Sequence, residues 1–94
     1  MSKETTIEKE DIKDLKFDNR EVLKSQDEIN KRKEILESAM VMGNNYKGKV
    51  QLTFESEEGT HVVETTIWAT TDHDVTLKGG IVIPISSIRE VFMW

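Results

Sequence analysis

Lys78-Gly79-Gly80-Ile81-Val82-Ile83-Pro84-Ile85-Ser86-Ser87-Ile88-Arg89-Glu90-Val91 is the stretch whose reading decides the fold. The paired glycines supply a tight turn, because glycine takes a positive φ at no steric cost. Ile81, Ile83 and Ile85 recur every second residue, the pattern of a strand with one buried face. Pro84 has no amide hydrogen to give a ladder, which assigns it to an edge or a bulge. Ser86-Ser87 permits one tight turn, and a closing strand follows over about 88–93.

Upstream of this stretch the period-two pattern continues. Val50, Leu52 and Phe54 face one way in a strand at 47–55, and Ser56-Glu57-Glu58-Gly59 reads as its hairpin loop. Residues 60–71 form a long run rich in β-branched side chains. Twelve residues exceed an ordinary strand, so this one is expected to bend. Asp72-His73-Asp74 makes a tight turn into a short strand at 74–78.

Before the strands the period changes to that of a helix. Ser25-Gln26-Asp27-Glu28 is a capping box, in which a hydroxyl and a later carboxylate satisfy free first-turn amides. Ile29, Leu36 and Met40, with Ile35, Ala39 and Met42 beside them, form one apolar stripe. The helix is predicted over 26–42, with Gly43 as its left-handed stop and Asn44-Asn45 continuing the turn. Residues 1–24 read as a charged arm, partly ordered at most. Thr5-Thr6-Ile7-Glu8 and Asp18-Asn19-Arg20-Glu21 also look like capping boxes, and Ile12 and Leu15 share a helical face, so the arm is either a short helix near 7–16 or a disordered segment tied down in places.

The fold class expected from these elements is α+β: an N-terminal amphipathic helix packed on a five-stranded antiparallel small β-barrel. The helix stripe needs the barrel, because a lone helix of this length is marginal in water.

Charge divides the 94 residues into unlike halves. Residues 1–46 carry 9 basic and 11 acidic side chains, and residues 47–94 carry 4 and 7. A net charge of −5 argues against nonspecific nucleic-acid binding, which rests on Lys and Arg neutralising phosphates. The absence of cysteine removes disulfides, thiolate catalysis and cysteine-ligated metals. No signal peptide and no apolar run of roughly 18 residues is visible, so the expectation is a cytoplasmic protein with no membrane partner.

Few residues carry chemistry. Asp72-His73-Asp74 is the one histidine–carboxylate cluster, but neighbours in a turn cannot all converge on one ion. His61 and Glu64 sit three apart on one strand and so face opposite sides. Trp68 is either core or an aromatic platform of the kind that stacks bases. Lys31-Arg32-Lys33 spreads over a helix among acids and reads as a solvated face. One of Met93 and Trp94 must point away from the core, which asks for cover from the arm or from a second subunit. No phosphate loop, nucleophile elbow, zinc motif or dinucleotide fingerprint is present.

The run from Gly79 to Val91 resembles the end of Sm-like and Src-homology-3-type small barrels, where the penultimate strand passes through one tight turn into the last. The run Val63-Glu64-Thr65-Thr66-Ile67-Trp68-Ala69-Thr70-Thr71 resembles the centre of a small bacterial family of Bacteroidetes type. The Sm-like resemblance implies RNA binding and ring formation. Its contact loops would be Thr71-Asp72-His73-Asp74 and Ser86-Ser87. The first is acidic where an aromatic residue or asparagine would serve. The second lacks the family's basic side chains.

The expected function is therefore a non-catalytic interaction module that binds a protein partner or itself, with Sm-like RNA binding as the alternative. No enzyme activity, catalytic residue, cofactor or metal is expected. The candidate interface or ligand residues are Trp68, His73, Ser86, Ser87, Arg89, Met93 and Trp94. A basic patch of Lys47, Lys49, Lys78 and Arg89 would favour the alternative.

Overall fold

A computed structural model describes residues 4–18, 20–46 and 48–93. Glu4–Thr6 is strand β1, and Lys9–Asp14 is a 3₁₀ helix. Gln26–Tyr46 is the helix α1. Then come β2 (Val50–Ser56), β3 (Gly59–Thr65), β4 (Ile67–Thr70), β5 (Asp74–Leu77) and β6 (Ile81–Pro84). A 3₁₀ turn at Ile85–Ser87 leads into β7 (Ile88–Met93).

The strands form two separate sheets, ordered β1-β3-β2-β7 and β4-β5-β6. This corrects the expected barrel. Among the described residues there are seven strands instead of five, and the helix lies inside the chain behind a strand and a 3₁₀ helix. Among the described residues, no strand of one sheet pairs with a strand of the other. The hydrogen-bonded circuit is open for two local reasons. Thr66 leaves the ladder between β3 and β4, and its hydroxyl donates to the Gly48 carbonyl at 3.2 Å. At the other crossing the chain passes through Pro84 and the 3₁₀ turn before β7 begins.

The first sheet is not wholly antiparallel. β1 runs parallel to β3, with Thr5 opposite His61 and Thr6 opposite Val62, and the Ile7 amide continues the pairing to the Val62 carbonyl at 2.9 Å. Thr5 and Thr6 therefore lie in a strand, and the short helix expected near 7–16 is the 3₁₀ helix Lys9–Asp14, which starts after Glu8 with no side-chain cap. Residues 18–21 open no helix: the Asp18 carboxylate accepts the Arg20 amide, a local turn. The third box holds in its hydroxyl half. Ser25 Oγ accepts the Glu28 amide at 3.1 Å and donates to the Glu28 carboxylate at 3.0 Å. At its far end α1 runs through Gly43 to Tyr46, a cost of about 1 kcal/mol relative to alanine that a helix tolerates. Lys47 and Trp94 lie outside the described residues.

The core lies between the sheets and the helix. Val50, Leu52 and Phe54 of β2, Val63 of β3, Ile67 of β4, Val75 and Leu77 of β5, Ile83 of β6 and Ile88 of β7 are buried with Leu36 and Ala39 of α1. β3 and β5 bury alternate residues, as the pleat dictates, whereas β2 buries Leu52, Thr53 and Phe54 in succession and β4 exposes both Trp68 and Ala69. The β5–β6 turn takes positive φ at both Gly79 (92°) and Gly80 (85°), with the Gly80 amide bonded to the Leu77 carbonyl at 2.9 Å.

The arm completes this core. Ile12, at 1% exposure, is as deeply buried as Val50 and Val63 of the strands. The ring centroids of Phe17 and Phe54 stand 6.0 Å apart, and the Glu57 amide donates to the Lys16 carbonyl at 2.8 Å. Ile12→Ala is predicted to lower the unfolding free energy by about 2–5 kcal/mol, the cost of a core isoleucine. Urea denaturation measures it. A loss below about 1 kcal/mol, the ordinary effect of a surface change, would remove Ile12 from the core.

Candidate functional site

Arg32 organises the site. It occupies a stripe position of α1, three residues after Ile29 and four before Leu36, and is only 6% exposed. The expected solvated triplet is thus broken at its centre. Arg32 Nη1 and Nη2 donate to the two carboxylate oxygens of Glu21 at 2.7 and 2.6 Å. Nη1 also donates to the Ile88 carbonyl at 2.9 Å. The guanidinium hydrogen bond holds the Glu21 carboxyl below the usual carboxylate range. Among the described residues, two buried side-chain atoms have no partner: Arg32 Nε and His61 Nδ1.

Beside this latch opens a cleft of about 520 Å³. Ile29, Pro84 and Ile85 give it apolar wall, and Lys33, Asp72 and His73 give it charged or polar rim. The turn 71–74 is rigidly built. Thr71 Oγ1 accepts the His73 and Asp74 amides at 3.2 and 3.0 Å, and the Ile85 amide donates to the His73 carbonyl at 2.9 Å. That last bond, across the sheet end, brings the candidate residues His73 and Ser86 into one cleft.

The other candidates lie elsewhere. Ser87 is 2% exposed, inside the 3₁₀ turn. Met93 is half-buried against the core opposite Val50. Trp94 lies outside the described residues. Trp68 and Arg89 share an origin that period-two reading misses: each is the extra residue of a β-bulge. β4 moves from Ile67 to Ala69 while β5 advances from Leu77 to Thr76. β7 moves from Ile88 to Glu90 while β2 advances by one residue. A bulge re-aims a side chain. Trp68 is left 47% exposed, and Arg89 reaches across to Glu55, its Nε 2.6 Å from the carboxylate.

The register defines a second surface. On the outer face of β4-β5-β6, Ala69 lies opposite Thr76 and Thr76 opposite Val82, with Trp68 beside them at the bulge. Val82 is 48% exposed. Asp74 and Pro84 occupy the next row of the same face and also line the cleft. The outer face and the cleft are therefore continuous.

His61 belongs to neither surface. Its Nε2 lies 2.7 Å from Ser56 Oγ, which in turn donates to Glu58 at 3.0 Å. The Glu58 carboxyl is held low by the Ser56 hydroxyl and the Lys16 amide. This network fastens the arm to the β2–β3 hairpin. Among the described residues, no three His, Asp or Glu side chains are grouped to hold a metal ion, and no helix is long and apolar enough to cross a membrane.

The chain matches no family model, no curated protein and no solved structure, so the likeness to Sm-like and Src-homology-3 barrels rests on the sequence pattern alone.

Arg32→Met is predicted to cost about 3 kcal/mol in urea denaturation, because it strands the Glu21 carboxylate and the Ile88 carbonyl. The figure sits low in the usual range because a third of the Glu21 side chain is exposed. Glu21→Gln should cost less at pH 7. Its cost should also shrink in acid. A carboxyl whose folded-state value is depressed adds stability above its ordinary value of 4.5 and loses it as pH falls through the folded value. A wild-type-to-Glu21→Gln gap that stays constant from pH 7 to about pH 3 would contradict the latch.

Proposed function

We propose that this protein is a non-catalytic interaction module that docks protein partners, a second copy among them, through the outer face of β4-β5-β6. The observation that carries this reading is the exposed pair Trp68 and Val82 on one sheet face, with Ala69 and Thr76 between them.

Charge singles out this face for self-association. The chain carries a net charge of −5, so two copies repel each other over most contacts. Trp68, Ala69, Thr76 and Val82 are all uncharged, with the charged strand residue Asp74 in the next row of this face. Three strands of four residues cover roughly 13 by 14 Å at ordinary strand spacings. That is well below the roughly 800 Å² per partner of a stable interface. Association through this face alone is therefore weak, and the continuous cleft, with Pro84 and Ile85 in its wall, would supply the rest of the area to a tighter partner.

A basic patch gains little from the arrangement of the strands. Arg89 is spent on Glu55, and Lys78 stands in the turn after β5. Saturable binding of a short labelled RNA at low salt, where phosphate contacts are strongest, would replace the docking reading with the Sm-like one.

Sedimentation equilibrium at rising concentration tests the proposal. Wild type is expected to associate weakly, with a dissociation constant on the order of 0.1–1 mM. Trp68→Ala with Val82→Thr should weaken this about tenfold or more, since buried aromatic anchors dominate interfaces. An ideal monomer throughout, or association unmoved by the double change, would overturn it.

A further inference from the structure

The arm is attached to the body at separate seats. β1 lies on the β3 edge through a ladder of only three residues. Ile12 fills a socket in the core. The backbone of Lys16 bonds to the β2–β3 hairpin, and Phe17 rests on Phe54. No helix or strand is described in residues 18–25, which lead from these seats to α1. That link is held by the Glu21–Arg32 latch and by the Val22 amide on the Ser86 carbonyl at 3.0 Å.

This layout has the parts of an exchangeable element. The seats form a groove made wholly by the body, and the arm that fills it hangs on a link without ladder bonds of its own. Eight residues extended reach about 26–29 Å, more than the molecule's smallest extent of 22 Å. A straightened link can therefore deliver the arm to a neighbouring molecule. The β3 edge and the Ile12 socket do not leave a satisfied surface when vacated, since they expose unpaired strand groups and apolar walls. A second copy's arm refills them with identical contacts, so exchange loses no seat contact and costs chiefly the freedom of joining two chains.

We propose that the β3 edge and the Ile12 socket take the N-terminal arm of a second copy, giving an arm-exchanged dimer, and that the Glu21–Arg32 latch controls how readily the arm leaves its own groove. This interface does not involve the Trp68 face. A Trp68→Ala/Val82→Thr chain should still exchange arms, so the two proposals fail separately.

The test uses the absence of native cysteine. Thr6 and Val62 are direct neighbours across β1 and β3, at a Cα spacing that a disulfide can span. Full-length chains carrying Thr6→Cys alone and Val62→Cys alone are mixed, concentrated, incubated and mildly oxidised. A disulfide joining the two different chains forms at the seat only when the arm of one lies on β3 of the other. The mixed product is expected severalfold above that from a Glu34→Cys and Val62→Cys pair, which reports random encounter because Glu34 is exposed on α1, outside the exchanged arm. Adding Glu21→Gln to both chains should speed its appearance about tenfold or more, the factor that losing a charge-assisted hydrogen bond implies. The double variant Thr6→Cys/Val62→Cys in one chain checks the seat itself. If it closes internally while the mixed chains give only the random level, the arm is seated in its own molecule alone and the proposal fails. If it does not close at all, the groove is not where the arm lies, and the proposal fails as well.

Discussion

A buried guanidinium cannot shed its charge, and that constraint sets the arrangement of this molecule. Arg32 points into the apolar stripe of α1, where a neutral side chain would simply pack. Its charge must instead be met, by the Glu21 carboxylate from the arm and by the Ile88 carbonyl at the start of β7. The end of the arm and α1, 11 residues apart, are thereby both fixed to the start of β7, 56 residues beyond Arg32. The cleft opens beside this junction, walled by Glu21, by α1, by residues 84–86 just ahead of β7, and by the 71–74 turn. Removing either partner leaves the other groups underprovided, so the junction is all-or-none in a way that apolar packing is not.

The sequence shows most of the body and little of what connects it. α1 and the strands announce themselves by period, as with Val50, Leu52 and Phe54, or Ile81 and Ile83. Ile7, Ile12, Leu15 and Phe17 of the arm follow no single period, because they reach one core from different local structures: Ile7 after β1, Ile12 in the 3₁₀ helix, and Leu15 and Phe17 beyond it. Arg32 could have been found, since it sits on the stripe between Ile29 and Leu36, but its neighbours Lys31 and Lys33 disguise it as part of a solvated run. The open arrangement of two sheets has no signature at all. It is decided at Thr66 and at Ile85–Ser87, where the chain crosses between sheets.

The candidate residues divide along the same line. Ser86 and His73 meet because of one backbone bond, Ile85 to His73, which no spacing rule reports. Trp68 and Arg89 owe their placement to bulges. A bulge inserts one residue into a ladder without changing composition, and it shifts the alternation from that point on. Reading Trp68 by strict alternation therefore left its burial open, while the register places it and Ala69 on the exposed side.

The parallel pairing of β1 with β3 has a consequence for how the chain is made. Glu4 meets Thr60, and Ile12 enters a core built from strands as late as β7. On a ribosome the arm emerges before every one of its contacts exists. Pairings this distant in sequence must bear the entropy of closing a long loop before they return anything. The arm leaves the ribosome ahead of the body but can be seated only once that body has formed. Until it is seated, the β3 edge and the Ile12 socket are open to any other arm of the same sequence emerging nearby, as from the next ribosome on one message.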